Sequence, residues 1–170
     1  MMRKAAVVLL ALAVTGCATE WPQPAGPGAV GPPPPPPPPP AATILGHGAY
    51  HTRAGARGDC AGLSVALMHD TPSFRRRIVA LYGSPDSARL AVATVKARSA
   101  KLGPTQENPL AESVQCDGAG AFAFRDVAAG SYFIIARLKA TSPKGASEDL
   151  VVMRHLDLLE GETREVSLAP

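Results

Sequence analysis

The chain has 170 residues, of which 18 are proline, and its formal net charge is +3. Cleavage before Cys17, argued below, removes Arg3 and Lys4 and leaves 15 basic against 14 acidic residues, a net charge near +1. This near-neutral balance argues against a nucleic-acid partner, because such partners select basic surfaces. The length suffices for one domain with a single hydrophobic core.

The N-terminus, residues 1–16, predicts a signal peptide. Arg3 and Lys4 precede an apolar run from Ala5 to Val14, and small residues then lead to Cys17. A basic start, a short apolar core and small residues before the cleavage site are typical of secretion signals. The run of about ten residues is too short to span a membrane, which takes roughly 20.

The stretch Val14-Thr15-Gly16-Cys17 resembles the lipobox of bacterial lipoproteins. This resemblance implies that the chain is cut before Cys17, which becomes the lipidated first residue with three acyl chains, a stable anchor. Ala18 in the next position implies sorting to the outer membrane, on its periplasmic face. The alternative is cleavage after Ala11-Leu12-Ala13, which would leave a soluble product.

Residues 17–40 predict a lipidated N-terminus followed by a proline-rich linker. Pro32 to Pro40 is an unbroken proline run. Proline fixes φ and lacks an N–H, so the run predicts a polyproline II rod of roughly 28 Å, at about 3.1 Å per residue. We interpret the rod as a spacer; the alternative is a ligand for a proline-binding groove.

Two cysteines remain once Cys17 carries lipid. In an oxidising compartment Cys60 and Cys116 are expected to pair, although two reduced and buried cysteines are the alternative. Such a bridge would stabilise the fold by about 4 kcal/mol in the chain-entropy model. Neither cysteine has a second ligand at metal-binding spacing, so no metal site is predicted.

Residues 41–170 predict one mainly β domain. Short apolar or alternating segments separated by glycine turns are typical of an antiparallel β-sandwich. The predicted strands lie at Leu63 to Met68, Val114 to Cys116, Ala121 to Phe124, Ser131 to Leu138, Leu150 to Leu158 and Arg164 to Leu168.

A short helix is predicted between two of these strands, from Pro72 to Tyr82. Thr71 is suited to cap it, Pro72 to begin it and Gly83 to end it. Its apolar residues follow helical spacing: Phe74, Ile78, Leu81 and Tyr82. Ser87 to Lys101 is ambiguous, because its alanines favour a helix while its alternating apolar residues favour a strand; we predict a strand.

The segment Asp117 to Tyr132 resembles the carboxypeptidase regulatory-like domain family, which are transthyretin-like β-sandwiches. Its pattern residues here are Gly120, Phe122, Phe124, Val127, Gly130 and Tyr132. The resemblance implies a single antiparallel sandwich over residues 41–170, from which Ala128-Ala129 and the helical insert depart. It implies no chemistry, since in that family the domain accompanies a zinc peptidase that this chain does not contain.

Three structural predictions follow from the same segment. Phe122 and Phe124 should share one strand face and enter the core. Gly118, Gly120 and Gly130 should occupy turn positions with positive φ. Tyr132 should pack its ring and hydrogen-bond to backbone.

No catalytic pattern accompanies the histidines His47, His51, His69 and His155. None begins a zinc-hydrolase motif, and neither a nucleophile elbow nor a phosphate loop is present. The turn acids Asp117, Asp126, Glu148 and Asp149 are interpreted as capping or solvated groups. We therefore predict a protein that is not an enzyme and has no cofactor.

Arg75, Arg76 and Arg77 form the longest run of like charge. We interpret them as a solvated helix face; the sharper hypothesis is contact with phosphates of anionic lipid or lipopolysaccharide, helped by Arg89 and Arg98.

Two functions follow from this sequence. The first is a non-catalytic envelope lipoprotein whose β-sandwich binds another envelope protein or a glycan. The alternative is a small-molecule carrier or sensor that uses a transthyretin-like pocket or oligomer interface.

Overall fold

A computed structural model describes residues 36–51 and 54–168. The signal peptide, Cys17 and the first prolines of the run lie outside the described residues. Pro37 to Pro170 forms one compact unit, and both hydrophobic clusters described below are built from residues within it. This unit therefore contains what it needs to fold on its own.

The described residues form strands and helices in the following order: β1 Ala42–His47, β2 Tyr50–His51, β3 Arg57–Asp59, β4 Ser64–His69, α1 Pro72–Tyr82, β5 Ser87–Ala91, α2 Val92–Leu102, β6 Leu110–Gln115, β7 Ala121–Val127, β8 Gly130–Thr141, β9 Ser147–Leu158 and β10 Thr163–Ser167.

Two sheets pack face to face. The small sheet has the order β10-β1-β7, with β1 parallel to β10 and antiparallel to β7. In the large sheet, β8 pairs antiparallel with β9 along its whole length, and β5 adds beyond β9. The other edge of β8 carries β4 and β6 at one end and β3 and β2 at the other. The predicted mainly β sandwich with a helical insert is confirmed, and the parallel β1–β10 pair is its one departure from antiparallel pairing in the described sheets.

The large sheet is covered on both faces. Alternate residues of β8, such as Ile134 and Leu138, join the cluster shared with the small sheet. Phe133 points the other way and joins Val151, Met153 and the apolar side of α1. Because side chains alternate along a strand, β8 can fill two cores only with a nearly continuous apolar sequence. The domain thus has three layers: small sheet, large sheet and helices.

Helix α1 has the predicted bounds. The Thr71 hydroxyl accepts a hydrogen bond from the Phe74 N–H at 3.2 Å, and Gly83 ends the helix in the left-handed conformation with φ 82°. The predicted stripe is buried: Phe74, Ile78, Leu81 and Tyr82.

The strand prediction for Ser87 to Lys101 is wrong beyond Ala91. β5 ends there, and α2 runs from Val92 to Leu102. No α2 residue is fully buried, and Val92 and Val95 are only partly buried against the helical cluster. Because α2 buries so little, its sequence has no strong apolar stripe at helical spacing from which the helix could be predicted. Its alanines favour the helical state.

The segment Asp117 to Tyr132 folds largely as predicted. Phe122 and Phe124 are buried with ring centroids 5.9 Å apart. The Tyr132 hydroxyl donates to the Ala128 carbonyl at 3.0 Å. Gly120 and Gly130 have positive φ, but Gly118 does not, so that part of the prediction is wrong.

A disulfide joins Cys60 and Cys116, whose Cα atoms lie 5.7 Å apart. It ties the segment after β3 to the end of β6, and both cysteines are buried in the core between the sheets. The bond agrees with the pairing expected from the cysteine count.

Gly46 leaves room for the Phe122 ring in the core between the sheets. It pairs with Phe122 across β1 and β7, and a Cβ at this position would lie 1.9 Å from Phe122 Cζ. We expect Gly46→Ala to lower the free energy of unfolding by about 1–3 kcal/mol through overpacking. Urea unfolding of residues 37–170 measures this. Gly118→Ala is the control, because no neighbouring heavy atom lies within 4 Å of its Cβ position; equal losses in both variants would contradict the packing argument.

Candidate functional site

A small pocket lies beside the turn that joins β8 to β9. It encloses about 180 Å³, and its lining combines one aromatic ring, a guanidinium, a carboxylate and several hydroxyls: Tyr50, Ala56, Arg89, Ala140, Thr141, Ser142, Pro143, Ala146, Ser147 and Glu148. These residues come from β2, β5, the ends of β8 and β9 with the turn between them, and Ala56 just before β3. We refer to it below as the Tyr50–Arg89 pocket.

Tyr50 is held in place by its neighbour across the sheet. It pairs with Gly58 of β3, and a Cβ at Gly58 would lie 2.5 Å from Tyr50 Cε1. Glycine at this position therefore lets the tyrosine ring lie flat against the strand. The ring is almost entirely buried, which fixes where its hydroxyl can point.

Arg89 reaches the same ring from β5. Its Nη2 donates to the Tyr50 hydroxyl at 2.7 Å, and its guanidinium carbon lies 5.0 Å from the ring centroid. Both contacts hold the guanidinium plane in one orientation. Since a guanidinium carries five N–H donors, others remain for a ligand.

The lining of this pocket offers both donors and acceptors of hydrogen bonds. The Arg89 guanidinium donates hydrogen bonds, the Glu148 carboxylate accepts them, and the hydroxyls of Thr141 and Ser147 can do both. No sequence pattern points to Tyr50, and Arg89 was predicted only to assist the arginine run in contacting anionic phosphates. No local pattern reveals this site, because its residues come from strands far apart in the chain.

A second polar group lies at the N-terminal end of α1. Asp70, just after β4, accepts from Arg75 Nε at 3.0 Å and also contacts Arg75 Nη2. His155 Nε2, on β9, lies 2.9 Å from Asp70 Oδ2 and 3.0 Å from Arg75 Nη2. A carboxylate only accepts hydrogen bonds and a guanidinium only donates them. His155 Nε2 therefore donates to Asp70 when it carries a proton and accepts from Arg75 when it does not.

The Asp70 carboxylate is the most enclosed charge in this group, with a side chain 4% exposed. Burial raises its pKa, but hydrogen bonds and charge from Arg75 and His155 outweigh burial and hold the pKa below its usual value. Phe133 covers the group from the core side, with its ring centroid 5.0 Å from that of His155. The arrangement fixes the start of α1 on the large sheet.

The three consecutive arginines have different environments. Arg75 is paired with Asp70, Arg77 Nη2 donates to the Gly103 carbonyl at 2.8 Å, and Arg76 is exposed. The structure thus separates the run into one ion-paired side chain, one bound to backbone and one in solvent. Contact with an anionic surface remains a prediction.

The histidines do not converge. His47 lies on β1 and His51 on β2, while the His69 ring packs 5.2 Å from that of Tyr132. Among the described residues, no three His, Cys, Asp or Glu side chains are grouped to hold a metal ion. Within that same part of the chain, no helix is long and apolar enough to cross a membrane.

The Asp70 group should contribute to stability in a pH-dependent way. We expect Asp70→Asn to lower the free energy of unfolding by about 1–2 kcal/mol at neutral pH, because Arg75 loses a charged acceptor. Since folding lowers the pKa of Asp70, its contribution is present above the unfolded pKa of about 3.9 and is lost as pH falls through the folded pKa. The difference in the free energy of unfolding between the wild type and Asp70→Asn should therefore become smaller in acid.

Denaturant unfolding between pH 7 and pH 3 measures this difference. Asp149→Asn is the control, because its ion pair with Arg137 has both side chains 55% exposed and should contribute only a few tenths of a kcal/mol. A deficit in Asp70→Asn that is the same at every pH would contradict the account.

Comparison with known proteins gives a likeness of fold. No family model matches this chain, and no curated protein matches it significantly. A crystal structure from Pseudomonas aeruginosa, described as a "putative carbohydrate binding protein", superposes with a TM-score of 0.57 and 20% sequence identity, covering 78% of this chain and 90% of the other. At that identity the likeness shows a shared fold and nothing finer.

Proposed function

We propose that this protein is a non-catalytic binding module of the bacterial envelope whose ligand is a glycan, bound at the Tyr50–Arg89 pocket. The observation that carries the proposal is the pocket itself: a fixed guanidinium, an aromatic ring, hydroxyls and a carboxylate face one small cavity. These groups provide directed hydrogen bonds to vicinal sugar hydroxyls, and the buried Tyr50 ring beneath the Arg89 guanidinium holds that donor in place.

The size of the pocket favours a short sugar segment. Its volume of about 180 Å³ lies below the roughly 300–1,000 Å³ of sites that enclose a drug-sized ligand. One sugar unit would enter, and the rest of the glycan would lie outside on the surface. The fold it shares with a protein described as carbohydrate binding is consistent with this ligand class.

The proposed location rests on the N-terminal sequence. Cys17 would carry the lipid, and the proline-rich residues up to Pro40 would separate the sandwich from the outer membrane on its periplasmic face. The proposed relation to carboxypeptidase regulatory-like domains rests on the segment Asp117 to Tyr132 and concerns fold alone. The alternatives are an envelope protein in place of the glycan, and a small-molecule carrier at an oligomer interface.

Replacing Arg89 should weaken sugar binding without unfolding the domain. The first measurement screens residues 37–170 against an array of hexose and N-acetylhexosamine oligosaccharides, and calorimetry quantifies each hit. We expect Arg89→Gln to weaken binding by about 10- to 100-fold, the range for a lost hydrogen bond to a charged group. Arg154→Gln is the matched control, since Arg154 is exposed and does not line this pocket.

Several results would contradict the glycan proposal. The first is an array on which no oligosaccharide binds, and the second is an Arg89→Gln variant that binds as tightly as the wild type. The third is an Arg154→Gln variant that loses as much affinity as Arg89→Gln does. Binding only of apolar small molecules, together with a stable dimer in solution, would favour the carrier instead.

Lipidation at Cys17 is tested by mass analysis of the mature protein made in a bacterium with an outer membrane. The wild type should lack residues 1–16 and carry a diacylglyceryl group plus a third acyl chain, whereas Cys17→Ser should carry neither and leave the membrane fraction. A mature wild-type chain that begins at another residue without lipid would exclude the anchor while leaving the pocket untouched.

A further inference from the structure

The helical layer is uniformly basic. Helices α1 and α2 carry six basic residues and no carboxylate: Arg75, Arg76, Arg77, Lys96, Arg98 and Lys101. Both helices lie on the face of the large sheet that points away from the small sheet. The positive charge is therefore concentrated on one outer face of a domain whose mature chain is nearly neutral overall.

A groove runs between the two helices. It has a volume of about 480 Å³ and is lined by Arg77, Lys96, Ser99, Ala100, Gly103 and Pro104, with no acidic residue among them. The hydrogen bond from Arg77 to the Gly103 carbonyl holds the guanidinium at the groove wall. Its remaining N–H donors and the Lys96 ammonium are the groups that bind phosphate oxygens best.

Two carboxylates close to this layer are already engaged. Asp70 is paired with Arg75, which leaves that arginine outside the groove. Glu107 accepts from the hydroxyls of Ser73 and Thr71, which lower its pKa, and its charge also acts on Arg76. Among the described residues no ion pair neutralises the other five cations of the layer, Arg76, Arg77, Lys96, Arg98 and Lys101.

Exposed apolar side chains accompany these cations. Val79 on α1 is 42% exposed and Leu102 at the end of α2 is 43% exposed. Basic groups mixed with exposed apolar groups are the combination that binds at the boundary between lipid headgroups and acyl chains. A hydrated acidic polysaccharide would satisfy the cations but would leave the apolar groups in water.

We propose that this helical layer docks onto an anionic phospholipid surface, with headgroup phosphates held by the exposed Arg76, Lys96 and Lys101 beside the groove and with Val79, one helical turn after Arg76, at the acyl boundary. The docking surface is separate from the Tyr50–Arg89 pocket, and it needs neither a bound glycan nor the lipid on Cys17. It refines the hypothesis for the arginine run: Arg75 is excluded by its ion pair, and α2 supplies the other two cations.

The experiment uses residues 37–170 and vesicles made of equal parts phosphatidylglycerol and phosphatidylcholine, with pure phosphatidylcholine vesicles for comparison. We expect sedimentation with the anionic vesicles alone and a steady loss of binding as salt is added. The variant R76Q/K96Q/K101Q should bind about 100-fold more weakly, since each basic residue near the surface contributes about a factor of five.

Two matched controls separate this surface from general charge. R125Q/K144Q/R154Q removes the same charge from exposed positions outside the helices and should bind the anionic vesicles nearly as the wild type does. Lys96→Glu changes the charge by two units and should weaken binding about 25-fold, while Lys144→Glu, with the same change in charge, should retain most of the binding. All variants should keep the thermal midpoint of the wild type.

Three results would overturn the proposal. The first is equal binding to both kinds of vesicle, and the second is an equal loss in the helical and control variants. The third is binding to a soluble acidic polysaccharide but not to anionic vesicles, which would assign the groove to that polymer. Sugar binding at the Tyr50–Arg89 pocket should survive in R76Q/K96Q/K101Q, so failure of either proposal leaves the other standing.

Discussion

The pairing of β8 with β9 is the interaction on which the rest of the structure depends. Each strand has 12 residues, and their register is unbroken from Gly130–Leu158 to Thr141–Ser147. Each strand has a central stretch that is apolar on both faces, Phe133 to Ala136 in β8 and Leu150 to Met153 in β9. Both faces must therefore be covered there, because burial of apolar surface is the main favourable contribution to folding. The small sheet covers one face and the helices cover the other, which explains why a β-sandwich carries a helical layer.

This central pair also determines where binding sites can form. Its two faces are filled by packed side chains, so polar groups can gather only at the ends of the strands and on the outer layers. The Tyr50–Arg89 pocket lies beside the turn between β8 and β9, and the Asp70 group lies at the opposite end of the same strands. The basic groove lies on the outer helices. The strand pair therefore positions each site, and its ends supply Thr141, Ser147 and Glu148 to the pocket and His155 to the Asp70 group.

Sequence reasoning succeeded where a signal was local. The cap, proline and apolar stripe of Pro72–Tyr82 lie within a few turns of each other, and the alternating aromatics around Phe122 display their strand directly. It failed for α2, which has no fully buried residue and therefore no clear apolar stripe. It also failed for Gly118, because the sequence does not show which of two glycines in one turn has positive φ. The Tyr50–Arg89 contact depends on Gly58 and on strand order, which no single segment encodes.

The most direct test of the central claim is to locate the bound sugar on the domain. Residues 37–170 can be titrated with the tightest-binding oligosaccharide from the array while backbone amide chemical shifts are followed. The account predicts the largest changes at Tyr50, Arg89 and Glu148, with small changes on α1 and α2. Changes confined to the outer face of the small sheet, around Leu45 and Glu165, where a larger open depression lies, would contradict it.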